Sequence, residues 1–283
     1  MALTQENFKF VCEFAKDTAA IILEPGKEYL VETRLAPIAK QAGFGSLDEF
    51  LAQLRTNRTG TLFHEQVIDA LTTNETSFFR DFHPFETLRQ HVLPKVIEQR
   101  ASLRRLSIWS AASSTGQELY TIGMLIREHF PELNDWNVSI LGTDLSPTVL
   151  AQAKKGVYSQ LEVNRGLPAS MLIKYFTKAD TKWVIKDEVR KLIEFRQLNL
   201  VKPWPILPMF DVIFIRNVMI YFDLDSKRTI LKKIRQCLQP NGYLFLGTAE
   251  TTMNIDPDWQ PATLGRATVY QTQAAKATTL AAA

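Results

Sequence analysis

The stretch LSIWSAASSTGQELYTIGMLIREHF, residues 106–130, carries the pattern that decides the fold. Its first part, LSIWSA (106–111), is a short apolar run typical of a buried strand, and small residues separate it from a run with helical spacing. WNVSILGTDLS (136–146) repeats the order of strand and polar loop, and the next helix has Pro147 at its first position. Strands that alternate with helices predict a mostly parallel sheet covered on both faces.

Further strands are expected towards the C-terminus, where three segments are rich in the β-branched and aromatic residues that strands favour. The segments are KWVIKDEVRKLIEFRQLNL (182–200), FDVIFIRNVMIYF (210–222) and GYLFLGTAE (242–250). A helix, SKRTILKKIRQCLQP, lies between the last two. The final residues, 273–283, have no apolar periodicity, so we expect a disordered tail there.

The first seventy or so residues predict helices only. Apolar residues recur at helical spacing in 5–23, and a second helix should run over 27–41. Ser46 is typical of an N-cap, with Glu49 completing a capping box, and a fourth helix is expected at 65–71. We therefore predict three parts: a helical domain, a junction with a linker helix broken near Pro94, and an α/β domain. Their ranges are 1–75, 76–100 and 101–272.

Composition limits the class of protein. The 283 residues are 46% hydrophobic and 22% charged, as in ordinary globular proteins, and no apolar run is long enough to span a membrane. Residues 1–75 carry a net charge of −4 and the remainder +7, an excess too scattered to favour nucleic acid. With no secretory signal and two distant cysteines, Cys12 and Cys237, we expect a cytoplasmic protein with reduced thiols.

Two strand ends carry groups suited to a ligand. Open α/β sheets bind ligands beyond the carboxyl ends of their strands. After the first strand, AASSTG lets a backbone approach a ligand closely, and after the second, Asp144 stands where an acidic side chain accepts hydrogen bonds from ribose. These features favour an adenosine-containing cofactor. Taken alone, they also fit plain turn chemistry and a plain helix start at Ser146-Pro147.

The loop composition distinguishes between cofactors. A dinucleotide pyrophosphate calls for a glycine-rich turn, whereas this loop has only Gly116, followed by Gln117 and Glu118. A carboxylate repels phosphate and attracts a cationic amino group. S-adenosylmethionine has a ribose, a sulfonium and an ammonium group without phosphate, so it fits better than NAD. We find no metal-ligand spacing among the histidines and cysteines and assign no metal.

The third strand end, FIRNVMIYFD (214–223), interrupts an apolar strand with polar residues. Arg216, Asn217 and Tyr221 must each be hydrogen-bonded or face a cavity. They could line a site, or they could satisfy the neighbouring backbone.

Five stretches, in this order and spacing, resemble the chemotaxis receptor glutamate methyltransferases of the CheR type, and the resemblance covers roughly 5–272. They are TNETSFFRD (73–81), IWSAASSTGQELYTIGM (108–124), ILGTDLS (140–146), RNVMIYFD (216–223) and GYLFLGTAE (242–250). The resemblance implies a small all-helical N-terminal domain and a class I, Rossmann-like S-adenosylmethionine-dependent methyltransferase domain. It also implies a small antiparallel β-subdomain inserted at about 177–200.

The resemblance assigns residues as well. It places the following residues at the cofactor: Asn74, Thr76, Arg80, Glu118, Asp144, Asn199, Leu200, Arg216 and Asn217. It places Arg80 and Tyr221 near the transferred methyl, although Arg80 has a competing role at the cofactor's carboxylate. Phe78 and Phe79 are expected to pack the domain junction.

The implied function is methylation of glutamate side chains on the cytoplasmic helical bundle of chemoreceptors, with S-adenosylhomocysteine as the second product. We expect a monomer that does not insert into a membrane. The family's G-E-E-P-Y is Gly116 to Tyr120 here, with one carboxylate fewer. The inserted segment is short and lacks glycine, which predicts independence from a receptor pentapeptide tether. A different methyl acceptor and a non-catalytic signalling adaptor remain alternatives.

Overall fold

The computed structural model describes residues 3–56 and 62–272. Four helices come first and share an apolar core of their own, which includes Val11, Leu35 and Leu51. They are α1 (Gln5–Ala19), α2 (Glu28–Gln41), α3 (Leu47–Thr56) and α4 (Leu62–Leu71). This separate core confirms the predicted all-helical N-terminal region.

The start of α3 has a variant of the predicted capping box. The Ser46 hydroxyl accepts a hydrogen bond from the backbone N–H of Glu49 at 3.1 Å. The Glu49 carboxylate reaches back to the N–H of Gly45, at 3.0 Å, and not to that of Ser46. Both bonds satisfy donors that lack a partner inside the helix.

The linker helix is interrupted as expected. It consists of α5 (His83–Thr87), a π-helical turn (Leu88–Val92) and α6 (Leu93–Arg100). Pro94 has no N–H to donate and its ring crowds the preceding turn, which explains the wider turn just before it.

The remaining chain alternates between strands and helices. The strands are β1 (Arg105–Ala111), β2 (Asn137–Asp144), β3 (Val157–Ser159), β4 (Phe176–Ala179), β5 (Lys182–Ile185), β6 (Ile193–Gln197), β7 (Phe210–Ile215), β8 (Leu238–Leu246), β9 (Trp259–Leu264) and β10 (Ala267–Thr272). The helices are α7 (Gln117–His129), α8 (Pro147–Lys155), α9 (Gln160–Asn164), α10 (Ala169–Tyr175), α11 (Asp187–Arg190) and α12 (Leu224–Cys237).

Seven strands form the main sheet in the order β6-β2-β1-β7-β8-β10-β9. The first five are parallel, and β10 pairs antiparallel with β8 and β9. Side chains alternate between the faces: Ile108 packs in one core cluster with Ile122 of α7, and Trp109 packs in the other with Ile230 of α12. The sheet is therefore covered on both faces. The strand order reverses beside β1, which is where such sheets hold ligands.

The small antiparallel sheet exists, but the predicted range of 177–200 covers only two of its three strands, β4 and β5. Its order is β3-β5-β4, so it lies within 157–185. The strand β6, inside the predicted range, instead pairs in parallel with β2 at the edge of the main sheet. Gly142 makes this pairing close, because a Cβ there would lie 2.8 Å from the ring of Phe195.

The predicted tail, 273–283, lies outside the described residues. Cys12 and Cys237 are both free thiols. None of the helices within 3–56 and 62–272 is long and apolar enough to cross a membrane.

Candidate functional site

A cavity of about 300 Å³ lies at the carboxyl ends of the parallel strands, between them and the helical domain. It takes side chains from both: Leu23 and Arg34 come from the helical domain, and Leu145 and Leu198 from loops that follow β2 and β6. All ten predicted site residues line it. These are Asn74, Thr76, Arg80, Glu118, Asp144, Asn199, Leu200, Arg216, Asn217 and Tyr221.

The segment TNETSFFRD crosses the cavity as irregular backbone. Phe79, Asp81 and Phe82 all have positive φ, of 50°, 66° and 49°. Such conformations cost free energy in residues other than glycine, and they persist only where the surroundings impose them. Hydrogen bonds from the α/β domain restrain this backbone: the Ser114 hydroxyl, for example, donates to the carbonyl of Asn74 at 2.8 Å. The segment is therefore held in a specific shape at the cavity.

Two phenylalanines anchor this segment. Phe78 is fully buried and meets the rings of Tyr158 and Phe176 edge to face, at 5.0 and 5.7 Å between centroids. Phe79 packs against Phe85 at 5.8 Å. Both belong to the core beside the sheet and not to that of the helical domain. They fix the junction segment to the α/β domain.

Arg216 lines the cavity and pairs with two acidic side chains. Its guanidinium donates to the carboxylates of Asp81 and Glu118, at 2.6 and 2.8 Å, and lies over the ring of Phe85. The Arg216 side chain is only 2% exposed; its pair with Glu118 is largely shielded from water, whereas the Asp81 carboxylate is 36% exposed. The carboxylates of Asp81 and Glu118 and the guanidinium of Arg216 together carry a net charge of about −1. Nε of Arg216 is buried without a hydrogen-bond partner among the described residues.

Asp144 is nearly buried at the end of β2. Its carboxylate accepts hydrogen bonds from the backbone N–H groups of Ser114 and Ser146, at 2.8 and 3.0 Å. Burial raises the pKa of Asp144, and these backbone donors partly oppose the rise. A carboxylate has about four acceptor positions, so roughly two remain for other donors. The hydroxyl of Ser113, also in the lining, is buried without a partner in the described part of the chain.

Of the two residues expected near the transferred methyl, Arg80 is half-buried and Tyr221 is exposed. Arg80 donates through Nη1 to the carbonyl of Glu75 at 2.8 Å. Tyr221 ends a 3₁₀ turn after β7 and is 38% exposed. Asn217, which follows β7 in the chain, has a φ of +58°, a conformation that asparagine tolerates better than most residues.

The side chain of Asn199 has a structural partner on each of its polar atoms. Its amide nitrogen donates to the carbonyl of Thr18, at 2.8 Å, and its oxygen accepts from the N–H of Val201. Lys202 donates to the carbonyl of Asp17. These bonds hold the last turn of α1 against the loop after β6, while Leu200 contributes an apolar surface to the cavity.

The role of Arg34 is not evident from the sequence, where its spacing with Lys27 and Lys40 indicates one solvated helix face. Its guanidinium instead donates to the carbonyls of Leu71 and Thr72, at 2.7 and 3.0 Å. It thus satisfies carbonyls at the end of α4, where the helix dipole also favours a cation. Arg34 ties the helical domain to the start of TNETSFFRD.

Family models match nearly the whole chain. One, described as CheR methyltransferase, all-alpha domain, covers residues 6–72, and the other, CheR methyltransferase, SAM binding domain, covers 74–267. The chain belongs to the CheR methyltransferase family. It is therefore an S-adenosylmethionine-dependent methyltransferase, as the sequence motifs predicted.

Relatives within this family are similar over nearly their full lengths. Chemotaxis protein methyltransferase 1 of Pseudomonas aeruginosa is 41% identical over 96% of this chain and 99% of its own. Chemotaxis protein methyltransferase Cher2 of Pseudomonas putida is 40% identical over 91% and 94%, and chemotaxis protein methyltransferase 1 of Vibrio cholerae is 36% identical over 96% and 98%. The matching solved structures are more distant: the DhpI complex with S-adenosylhomocysteine has 14% identity, 86% and 80% coverage and a TM-score of 0.33.

The cavity of this CheR chain suits S-adenosylmethionine in its donors and its charge. Asp144 has acceptor positions to spare for ribose hydroxyls, and the unpartnered hydroxyl of Ser113 lies in the same lining. The carboxylate of Glu118, which lies in the lining, is a short-range partner for the cationic ammonium group of such a ligand.

Proposed function

We propose that this CheR protein methylates glutamate side chains on the cytoplasmic helices of chemoreceptors. The names of its relatives support the signalling context. One observation on the cavity supports a carboxylate as acceptor: no described residue in the lining is a histidine or cysteine, and three of its four acidic residues, Glu75, Glu118 and Asp144, are already engaged. A glutamate has a pKa near 4.3, so it is ionised at neutral pH and needs no general base.

S-adenosylmethionine, when bound, supplies an electrophilic methyl on a positively charged sulfur. In our proposal, Asp144 accepts hydrogen bonds from the ribose and Glu118 faces the ammonium end. Asn74, Thr76, Leu200 and Asn217 complete the contacts. Asn199 contributes through its position, because its side chain is engaged with α1.

Arg80 and Tyr221 orient the acceptor in this proposal. Both lie in the lining, one on the junction segment and the other after β7. A guanidinium and a phenol are donors that match an incoming carboxylate, and neither needs to move a proton. Catalysis then depends on alignment and exclusion of water, and alignment alone can supply about 7–11 kcal/mol. Arg80 could equally hold the cofactor's own carboxylate, and a variant at this position would separate the two roles.

The receptor is expected to be reached without a pentapeptide tether. The hairpin of the small sheet joins β4 to β5 through only two residues, Asp180 and Thr181, and the shortness of this turn supports the proposal. Methylation of a receptor with and without its last five residues tests this, and a large loss on truncation would contradict it. Cytoplasmic location and a monomeric state remain predictions of the same proposal.

The direct experiment incubates the protein with methyl-labelled S-adenosylmethionine and membranes that contain candidate chemoreceptors. We expect label on the receptor that mild base releases as methanol, because a glutamyl methyl ester is base-labile. S-adenosylhomocysteine added in excess is the control and should abolish labelling. Label that survives base would identify a different acceptor, and binding of the cofactor with no transfer to any receptor would favour an adaptor.

A further inference from the structure

Glu250 joins the two loops that leave β7 and β8, although it does not line the cavity. The two strands are parallel neighbours, with Ile215 paired to Leu246 at their ends. One oxygen of the Glu250 carboxylate accepts from the N–H groups of Asn217 and Gly247, at 2.8 and 2.7 Å. The other accepts from the N–H of Ile220 at 3.3 Å. A single side chain thus holds three backbone donors from adjacent loops.

The sequence provides the space for this contact. A Cβ at position 247 would lie 2.6 Å from a carboxylate oxygen of Glu250 and 2.8 Å from the backbone nitrogen of Asn217. Only glycine fits between these two groups without moving them. Gly247 therefore leaves the room that the Glu250 carboxylate needs, which explains the first and the last residue of GTAE (247–250).

The tethered loop carries cavity residues. Asn217 has its N–H on Glu250 while its backbone is in the left-handed region, and Ile220 immediately precedes Tyr221. Without the carboxylate, the N–H groups of Asn217 and Gly247 would converge on the same point without an acceptor. Leaving such donors unsatisfied is unfavourable, so the loop would move to find another partner.

We propose that Glu250 is a positioning residue for methyl transfer, acting through the loop of 216–221 to fix Tyr221 at the cavity. This rests on the role proposed above for Tyr221. The carboxylate is needed for its two acceptor oxygens: in a glutamine, the NH₂ group would face at least one backbone N–H, and two donors would then oppose each other.

The test compares Glu250→Gln with the wild-type protein. We expect faster backbone hydrogen exchange at residues 217–221 and a turnover roughly 10- to 100-fold lower, since small displacements of aligned groups have effects of that size. The affinity for S-adenosylhomocysteine should fall by less than the turnover. Gly247→Ala, which separates the same atoms, should reproduce the effect if Glu250→Gln does not fold.

Asp256→Asn is the matched control. Asp256 also lies after β8 and accepts from Arg235 and from the N–H of Asp258, at 3.0 and 3.1 Å, without contact to the loop of 216–221. Unchanged exchange at 217–221, a loss of turnover no larger than in this control, or an equal loss of cofactor affinity would overturn the proposal. The exchange measurement needs no methyl acceptor, so it decides the positioning role even if no receptor proves to be a substrate.

Discussion

Replacing Asp144 tests the cofactor site through the residue whose surroundings are best defined. The carboxylate spends two acceptor positions on the N–H groups of Ser114 and Ser146 and has roughly two left for ribose hydroxyls. Each hydrogen bond to a charged group contributes about 1.5 kcal/mol net at the low end of its range. Two such bonds amount to about 3 kcal/mol, or roughly 100-fold in affinity.

Asp144→Ala should therefore weaken binding of S-adenosylhomocysteine by tenfold to roughly 100-fold, measured by isothermal titration calorimetry. Asp144→Asn keeps the size but turns an NH₂ group towards the N–H of Ser114 or of Ser146, so its loss should be comparable. The lower limit of tenfold allows for a water molecule that replaces part of the lost contact between Asp144 and the ribose.

The control is Asp211→Asn, at the opposite end of the sheet. Asp211 is as buried as Asp144 and accepts from the N–H of Ser107 and from Arg100, but it does not line the cavity. This variant should lose stability with its cofactor affinity unchanged. Wild-type affinity in Asp144→Ala, or an equal loss in Asp211→Asn, would refute the ribose contact.

Three further outcomes are expected. Tyr221→Phe should lower turnover on receptors more than affinity for S-adenosylhomocysteine, and the reverse pattern would remove Tyr221 from the transfer step. Phe78→Ala should lower the free energy of unfolding in urea by about 3–5 kcal/mol, whereas Phe82→Ala, at an exposed ring, should have little effect; equal losses would contradict the anchoring role. Burial raises the pKa of Asp144 above 3.8, so cofactor affinity should fall as pH drops through that raised pKa, where a carboxylic acid replaces the acceptor. Calorimetry of Asp144→Asn should show no such pH dependence, and a persisting one would assign it to another group.

Much of the architecture could be predicted because local pattern and global fold agree. The alternation from Leu106 onwards predicts the covered parallel sheet, and helical spacing predicts the N-terminal domain. The range of the small sheet was only partly right, because residues 182–197 are one strand-rich run in the sequence, while the structure divides them into β5, α11 and β6. Only the partner strands decide that β6 belongs beside β2. The hairpin of β9 and β10 was not predicted.

The candidate site, like the fold, could be predicted from the sequence only in part. Motif positions predicted ten of the lining residues, because these lie on the junction segment or in the segments that follow strands of the sheet. Contacts between distant residues were not predictable: Arg216 pairs with Asp81, 135 positions away, and Asn199 reaches Thr18, 181 positions away. Arg34 and Glu250 were missed as well, since each acts on backbone groups that carry no signal in the sequence.

A crystal structure of the protein with S-adenosylhomocysteine tests the central claim most directly, because it shows where the donor binds. We predict the ribose hydroxyls on Asp144, the amino-acid end beside Glu118 and Arg216, and the sulfur facing the side of the cavity where Tyr221 lies. A ligand outside the cavity, or one inside it whose ribose makes no contact with Asp144, would contradict this account.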